Sequence, residues 1–196
     1  MGQLQVGILL FNQVEVLDFA GPYEVLSVTK RLDGTSPFSV VTLSEDGLGV
    51  QAVGGLKVEP DYSIHTAPRL DILIIPGGFG ARTEQINNKP IIQWIAAQAE
   101  DVQVLASVCT GGLLLAQAGL LDGRSATTHW ASLDQMERQF PNVTVVRGVK
   151  FVDQGQVLTS AGISAGINMA FSLVQRFAGN EVARQTAREM EYDIKI

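Results

Sequence analysis

The chain has 196 residues, 20 of them acidic and 14 basic, with a net charge of −6; 46% are hydrophobic and 17% charged. This length permits one large domain with a well-buried core, and the low charge fraction suits a sheet covered by helices on both faces. The acidic balance and the lack of any Lys/Arg run argue against a nucleic-acid partner, and no apolar stretch reaches the ~18 residues of a membrane helix. One cysteine and two histidines, His65 and His129, exclude an internal disulfide framework and leave little material for a metal centre. The start, Met1 to Gln5, has no basic or apolar leader, so a cytoplasmic protein is expected.

In chain order, Leu4–Leu10 reads as a strand and Asp18–Val28 as a helix, with Gly21-Pro22 near its start. Phe38–Leu43 alternates as a strand. The glycine-rich Ser44–Gly55 predicts an extended hairpin or loop. Asp71–Ile75 is an apolar strand running into Pro76-Gly77-Gly78, and Lys89–Glu100 is a helix. Val104–Val108 is a strand and Thr110–Ala118 a helix. Short strands are predicted at Ser125–Thr128, Val143–Val146, Lys150–Asp153 and Val157–Thr159, and an amphipathic helix at Ala131–Phe140. Helices over Ile163–Phe177 and Glu181–Tyr192 close the chain. Strands that alternate with helices imply a mostly parallel sheet in a single domain spanning 1–196.

The chemistry concentrates at three strand ends, where parallel α/β sheets gather ligands. The sole cysteine, Cys109, lies between the apolar run Val104–Val108 and the helical run after Gly111-Gly112. This is a strand–nucleophile–helix elbow with Cys in the place of Ser. The helix N-terminus is expected to favour thiolate, so Cys109 reads as a nucleophile of lowered pKa; a buried structural cysteine is the plainer alternative. Asp18 stands between Leu17 and Phe19, and is either a general acid/base beside the thiol or a helix N-cap. Gly77 and Gly78 either offer backbone N–H groups to an oxyanion or form an ordinary strand–helix turn. Thr110 follows the nucleophile and supplies a backbone donor. His129 is a base for Cys109 or part of a packed wall. The small-residue turn Ser160–Asn168 either lines the same pocket or serves close packing. No metal site and no Walker or dinucleotide fingerprint is present, so no cofactor is expected.

Together, Leu17–Pro22, Ile75–Gly78, Ser107–Gly111, Ala126–Trp130 and Thr159–Ile167 resemble the ThiJ/PfpI superfamily over nearly the whole chain. Within it the chain looks most like the isocyanide hydratases, and it also resembles the amidase-like domain of some AraC-type regulators. Thr110 stands where the glyoxalase, chaperone and protease-like branches commonly place His. Asn168 is a departure, since the hydratases often carry Asp there. The regulator branch adds a helix-turn-helix domain, which a chain ending at Ile196 is not expected to hold. The resemblance implies a flavodoxin-like three-layer sandwich, a homodimer, and a reactive cysteine beside a carboxylic acid. It implies cofactor-free hydration of an organic isocyanide to an N-formamide through a covalent thioimidate on Cys109, with Asp18 handling protons. Gly77, Gly78, Thr110 and His129 would hold the small-molecule substrate. An aldehyde- or amide-acting enzyme and a non-enzymatic cysteine sensor are the alternatives. The apolar character around Tyr23–Val28 also points to a two-fold interface.

Overall fold

Short β-branched and aliphatic runs set the frame. A computed structural model describes residues 2–194. The elements are β1 (Leu4–Leu9), α1 (Val16–Val28), β2 (Phe38–Ser44), β3 (Val50–Gln51), β4 (Lys57–Val58), β5 (Tyr62–Ser63), β6 (Ile72–Ile75), α2 (Phe79–Thr83) and α3 (Lys89–Asp101). They continue with β7 (Val104–Ser107), α4 (Gly111–Gln117), β8 (Ser125–Ala126), α5 (Leu133–Gln139), β9 (Thr144–Val145), β10 (Phe151–Gln154), β11 (Val157–Ser160), α6 (Ala165–Ala178) and α7 (Asn180–Glu189).

Among the described residues, seven strands form the main sheet in the order β10-β11-β7-β6-β1-β2-β5. All neighbours run parallel except the edge strand β10, which pairs antiparallel with β11. The central strands are apolar on both faces because both faces are covered. Ile72, Leu73, Ile74 and Ile75 have no exposure, and burying each such side chain contributes roughly 1.5–3 kcal/mol.

The chain passes from β1 to β2 in one direction along the sheet and from β6 to β7 in the other. Right-handed crossovers therefore place α1 and α3 on opposite faces. α1 packs with α6, and α3 packs with α4. This is the flavodoxin-like sandwich. The reversal between β1 and β6 opens a crevice at the carboxyl ends of the strands.

Several expected boundaries move. The first helix begins at Val16, so Asp18 lies in its first turn and Pro22 falls inside the helix. Pro22 has no N–H to give to the Asp18 carbonyl, which frees that carbonyl. The glycine-rich stretch ends in a small antiparallel ribbon, β3 with β4. The strand expected over Ser125–Thr128 stops at Ala126 and pairs with β9 outside the main sheet. The edge strand β5 and the short helix α2 were not expected. No helix among the described residues is long and apolar enough to cross a membrane.

Candidate active site

Four loops meet at the crevice. They follow β1, β6, β7 and β11; the first leads into the opening turn of α1, which holds Asp18, and the others carry Gly77-Gly78, Cys109-Thr110 and Ile163.

The elbow is sharp. Cys109 has φ 57, a left-handed conformation that costs a non-glycine residue about 1–3 kcal/mol. Its N–H reaches the Ser160 and Ala161 carbonyls, both at 3.2 Å, and its carbonyl accepts the Thr128 hydroxyl at 2.7 Å. The side chain is 6% exposed, at the floor of a cavity of about 220 Å³ walled by Glu15, Gly78, Phe79, Arg82, His129 and Ile163. That volume suits a small organic molecule.

Asp18 is fully buried. It makes no N-cap bond, since the cap position belongs to Glu15. Instead its Oδ2 accepts the Gly77 N–H at 3.0 Å, while Oδ1 is buried and has no hydrogen-bond partner. The other near neighbours of the carboxyl are the Cys109 thiol and the Ile163 N–H. Gly77 also accepts the Glu15 N–H at 2.9 Å, so this one residue stitches the β6 loop to the start of α1. Only glycine fits there: a Cβ would lie 2.5 Å from both the N and Oγ1 of Thr110.

The expected oxyanion donors are therefore already engaged. Gly77 N–H serves Asp18, and Gly78 N–H serves Thr110 Oγ1 at 2.9 Å. The Thr110 hydroxyl in turn lies 3.2 Å from the Gly78 carbonyl, to which it donates. Both glycines position the two groups beside the sulfur. The donors that do approach the sulfur are the N–H groups of Thr110 and Ile163.

The expectation of a lowered thiol pKa is overturned. Burial, and then the Asp18 charge, push Cys109 up to about 12, against the opposing pull of the Thr110 and Ile163 N–H groups. The helix behind the elbow has seven residues, so its dipole is small, and desolvation prevails. Burial likewise pushes Asp18 up to about 7, although the Gly77 N–H and the thiol favour its ionised form. At neutral pH the resting pair is a thiol beside a carboxyl that gains and loses its proton.

His129 lines the cavity but is not a partner of the thiol. Its Nδ1 accepts the Ala131 N–H at 3.3 Å, and its ring stands in the space that a side chain on Gly162 would fill. Burial, and then Arg82, lower its pKa, which keeps it neutral. His65 sits exposed in the loop after β5. Asn168 lies on α6, with a buried Oδ1 that has no hydrogen-bond partner. Among the described residues no group of three His, Cys, Asp or Glu side chains is placed to hold a metal.

The Ser160–Asn168 turn also supplies Ile163, for which the sequence carries no separate signal. A β-branched residue at φ 52 is an outlier, and this conformation turns its N–H toward the Cys109–Asp18 pair. Glu15, Phe79 and Arg82 also went unnoticed, because a pocket wall has no local sequence signature. The Arg82 guanidinium rests 5.6 Å from the centre of the Phe79 ring, which holds it at the pocket mouth.

The chain is similar to several known proteins to different extents. The chain is 35% identical over 190 residues to an isonitrile hydratase of Pseudomonas putida, covering 96% of this chain and 78% of that protein. It is 32% identical over 188 residues to the HTH-type transcriptional regulator GbdR of Pseudomonas aeruginosa, of whose length it spans 50%. A crystal structure of a ThiJ/PfpI family protein from Pseudomonas syringae superposes with a TM-score of 0.87 at 26% identity, covering 100% of this chain and 78% of that one. The match to the DJ-1/PfpI family runs over residues 4–176, from the first strand of the sheet almost to the end of α6, and the chain belongs to that family.

Proposed function

We propose that the protein hydrates a small organic isocyanide to the N-formamide, with Cys109 as nucleophile and Asp18 as the proton carrier. The observation that carries this reading is the burial of Asp18 against the Cys109 thiol, with the carboxyl pushed up to about 7. Such a group both takes and returns a proton at neutral pH. The likeness to a Pseudomonas putida isonitrile hydratase supports the choice of substrate class.

The reaction runs as follows. Asp18 takes the thiol proton while the sulfur attacks the terminal isocyanide carbon. Asp18 returns that proton to the same carbon, which leaves a thioimidate, R–N=CH–S–Cys109. Water then adds to this carbon: Asp18 accepts one water proton and passes it to the imine nitrogen, which gives R–NH–CH(OH)–S–Cys109 and leaves Asp18 ionised. The hydroxyl proton returns through Asp18 to the departing sulfur as the C–S bond breaks, which releases R–NH–CHO. One water is consumed and the thiol is restored. The N–H groups of Thr110 and Ile163 steady negative charge on sulfur as it forms and as it leaves. Thr110 and the glycines behind it keep the pair aligned, and neutral His129 walls the substrate.

The site is read as working in a homodimer. Leu17 and Tyr23 of α1, with Phe79, Trp130 and Ile163 around the pocket mouth, are exposed apolar side chains that a second copy would cover. The thiol must stay reduced, which suits the cytoplasm.

A second reading is a sensor domain that binds at Cys109 without turnover, favoured by the regulator of whose length the chain spans about half. Purified protein is incubated with small isocyanides, aldehydes and amides beside Cys109→Ala, and products are quantified. Formamide produced by the native chain alone, with a thioimidate adduct seen by intact mass, supports the hydratase. Binding without product supports the sensor.

A further inference from the structure

The peptide that joins Cys109 to Thr110 is held from behind. Thr128, buried just after β8, donates its hydroxyl to the Cys109 carbonyl at 2.7 Å. That carbonyl's other donor is the Gly112 N–H, at a long 3.3 Å. A trans peptide is planar, and its C=O and N–H point in opposite directions. Whatever fixes the carbonyl of Cys109 therefore fixes the N–H of Thr110, one of the two donors that approach the sulfur. A cysteine at φ 57 does not choose this conformation by itself, so the choice falls to bonds from neighbouring loops. The adjacent Thr127 does something different: its N–H goes to Thr159 Oγ1 at 2.9 Å and ties this loop to β11.

We propose that Thr128 is a positioning residue whose hydroxyl locks the Cys109–Thr110 peptide plane and so aims the Thr110 N–H at the sulfur. Thr128 works through the peptide, from the side away from the sulfur. When negative charge gathers on sulfur, the donor is already in place and no peptide rotation is needed.

The test uses Thr128→Val, Thr128→Ala and Thr128→Ser in the intact chain. Two quantities are read: the rate constant for alkylation of Cys109 by iodoacetamide, followed by intact mass, and kcat and KM for a small isocyanide. Thr128→Val keeps the shape and loses the hydroxyl. Its alkylation rate is expected to fall by about 10-fold, the scale of one buried hydrogen bond. kcat falls in parallel while KM stays within about twofold, as for an interaction that matters at the reacting centre. Thr128→Ser restores both rates. A residue that only fills space would lower the melting temperature of Thr128→Ala and Thr128→Ser and leave the alkylation rate of Thr128→Val unchanged, and that result overturns the proposal. Should Thr128→Val not fold, the contrast between Ala and Ser reads the same hydroxyl, and equal alkylation rates in those two overturn it. The kinetic arm rests on the hydratase reading and the alkylation arm does not. Failure of isocyanide turnover in the native chain thus counts against that reading alone.

Discussion

Asp18 on α1 and Gly77 after β6 are joined by one hydrogen bond of 3.0 Å, and this bond aims a buried carboxyl at the thiol of Cys109. Asp18→Asn keeps the size of the side chain and removes the proton carrier. Turnover is expected to fall by about 100-fold or more. The Asp18 charge is one of the causes that hold the thiol pKa up. The same substitution therefore lowers the thiol pKa, read as thiolate absorbance near ~240 nm against pH. A less active variant with a more acidic thiol separates the roles of the two groups; full activity in Asp18→Asn refutes the assignment.

The pH dependence has a definite sign. Attack needs Asp18 ionised and the thiol proton still on the pair, so kcat/KM rises as pH passes through about 7 and then levels. Stability runs the other way. Between the unfolded value of 3.8 and about 7, the folded protein keeps a proton that the unfolded chain has lost. Asp18 thus stabilises the fold below the unfolded value, and the contribution, on the order of 4 kcal/mol, is lost as pH rises through 7. Urea unfolding at several pH values shows this slope, and Asp18→Asn flattens it.

Gly77→Ala drives a Cβ to 2.5 Å from the Thr110 backbone nitrogen and 3.0 Å from Asp18 Oδ2. Overpacking of this kind costs about 1–3 kcal/mol. A lower melting temperature is expected, with a loss of activity larger than the stability change explains, because Asp18 and Thr110 are pushed apart. Normal activity in Gly77→Ala would show that their alignment does not matter.

Arg82→Gln removes the cation that, after burial, lowers the His129 pKa. The His129 pKa is expected to rise, read from its ring proton shifts by NMR. An unmoved titration would place the guanidinium away from the ring. His129 is not a partner of the thiol, so His129→Gln keeps turnover within about 10-fold of native, below the range of a lost general base.

Much of this was legible in the chain because strong local signals agreed. The runs Ile72–Ile75 and Val104–Ser107 announce buried parallel strands, and a cysteine between such a strand and two glycines announces the elbow. The weak elements failed for a physical reason. β5 has two residues and exists only by pairing with β2, and α2 is a single turn after Gly78. At the site, side chains were readable and backbone partners were not. Gly77 and Gly78 read as donors, yet their acceptors are Asp18 and Thr110, which only the assembled fold brings near. The thiol pKa went wrong because sequence shows the helix behind Cys109 but not the dry cavity and the acid in front of it.

The strand order has a consequence for how the nucleophile comes into being during folding. β7 is flanked by β6 on one side and by the late strand β11 on the other. Before β11 docks, Cys109 lacks the Ser160 and Ala161 carbonyls that hold its N–H and the Ile163 N–H that approaches its sulfur. The elbow is then free to relax from its left-handed conformation, and the thiol is exposed to solvent. During synthesis, before β11 has been made, this cysteine is expected to react as an ordinary exposed thiol. Damage by oxidants or alkylators is expected to fall mainly in that interval.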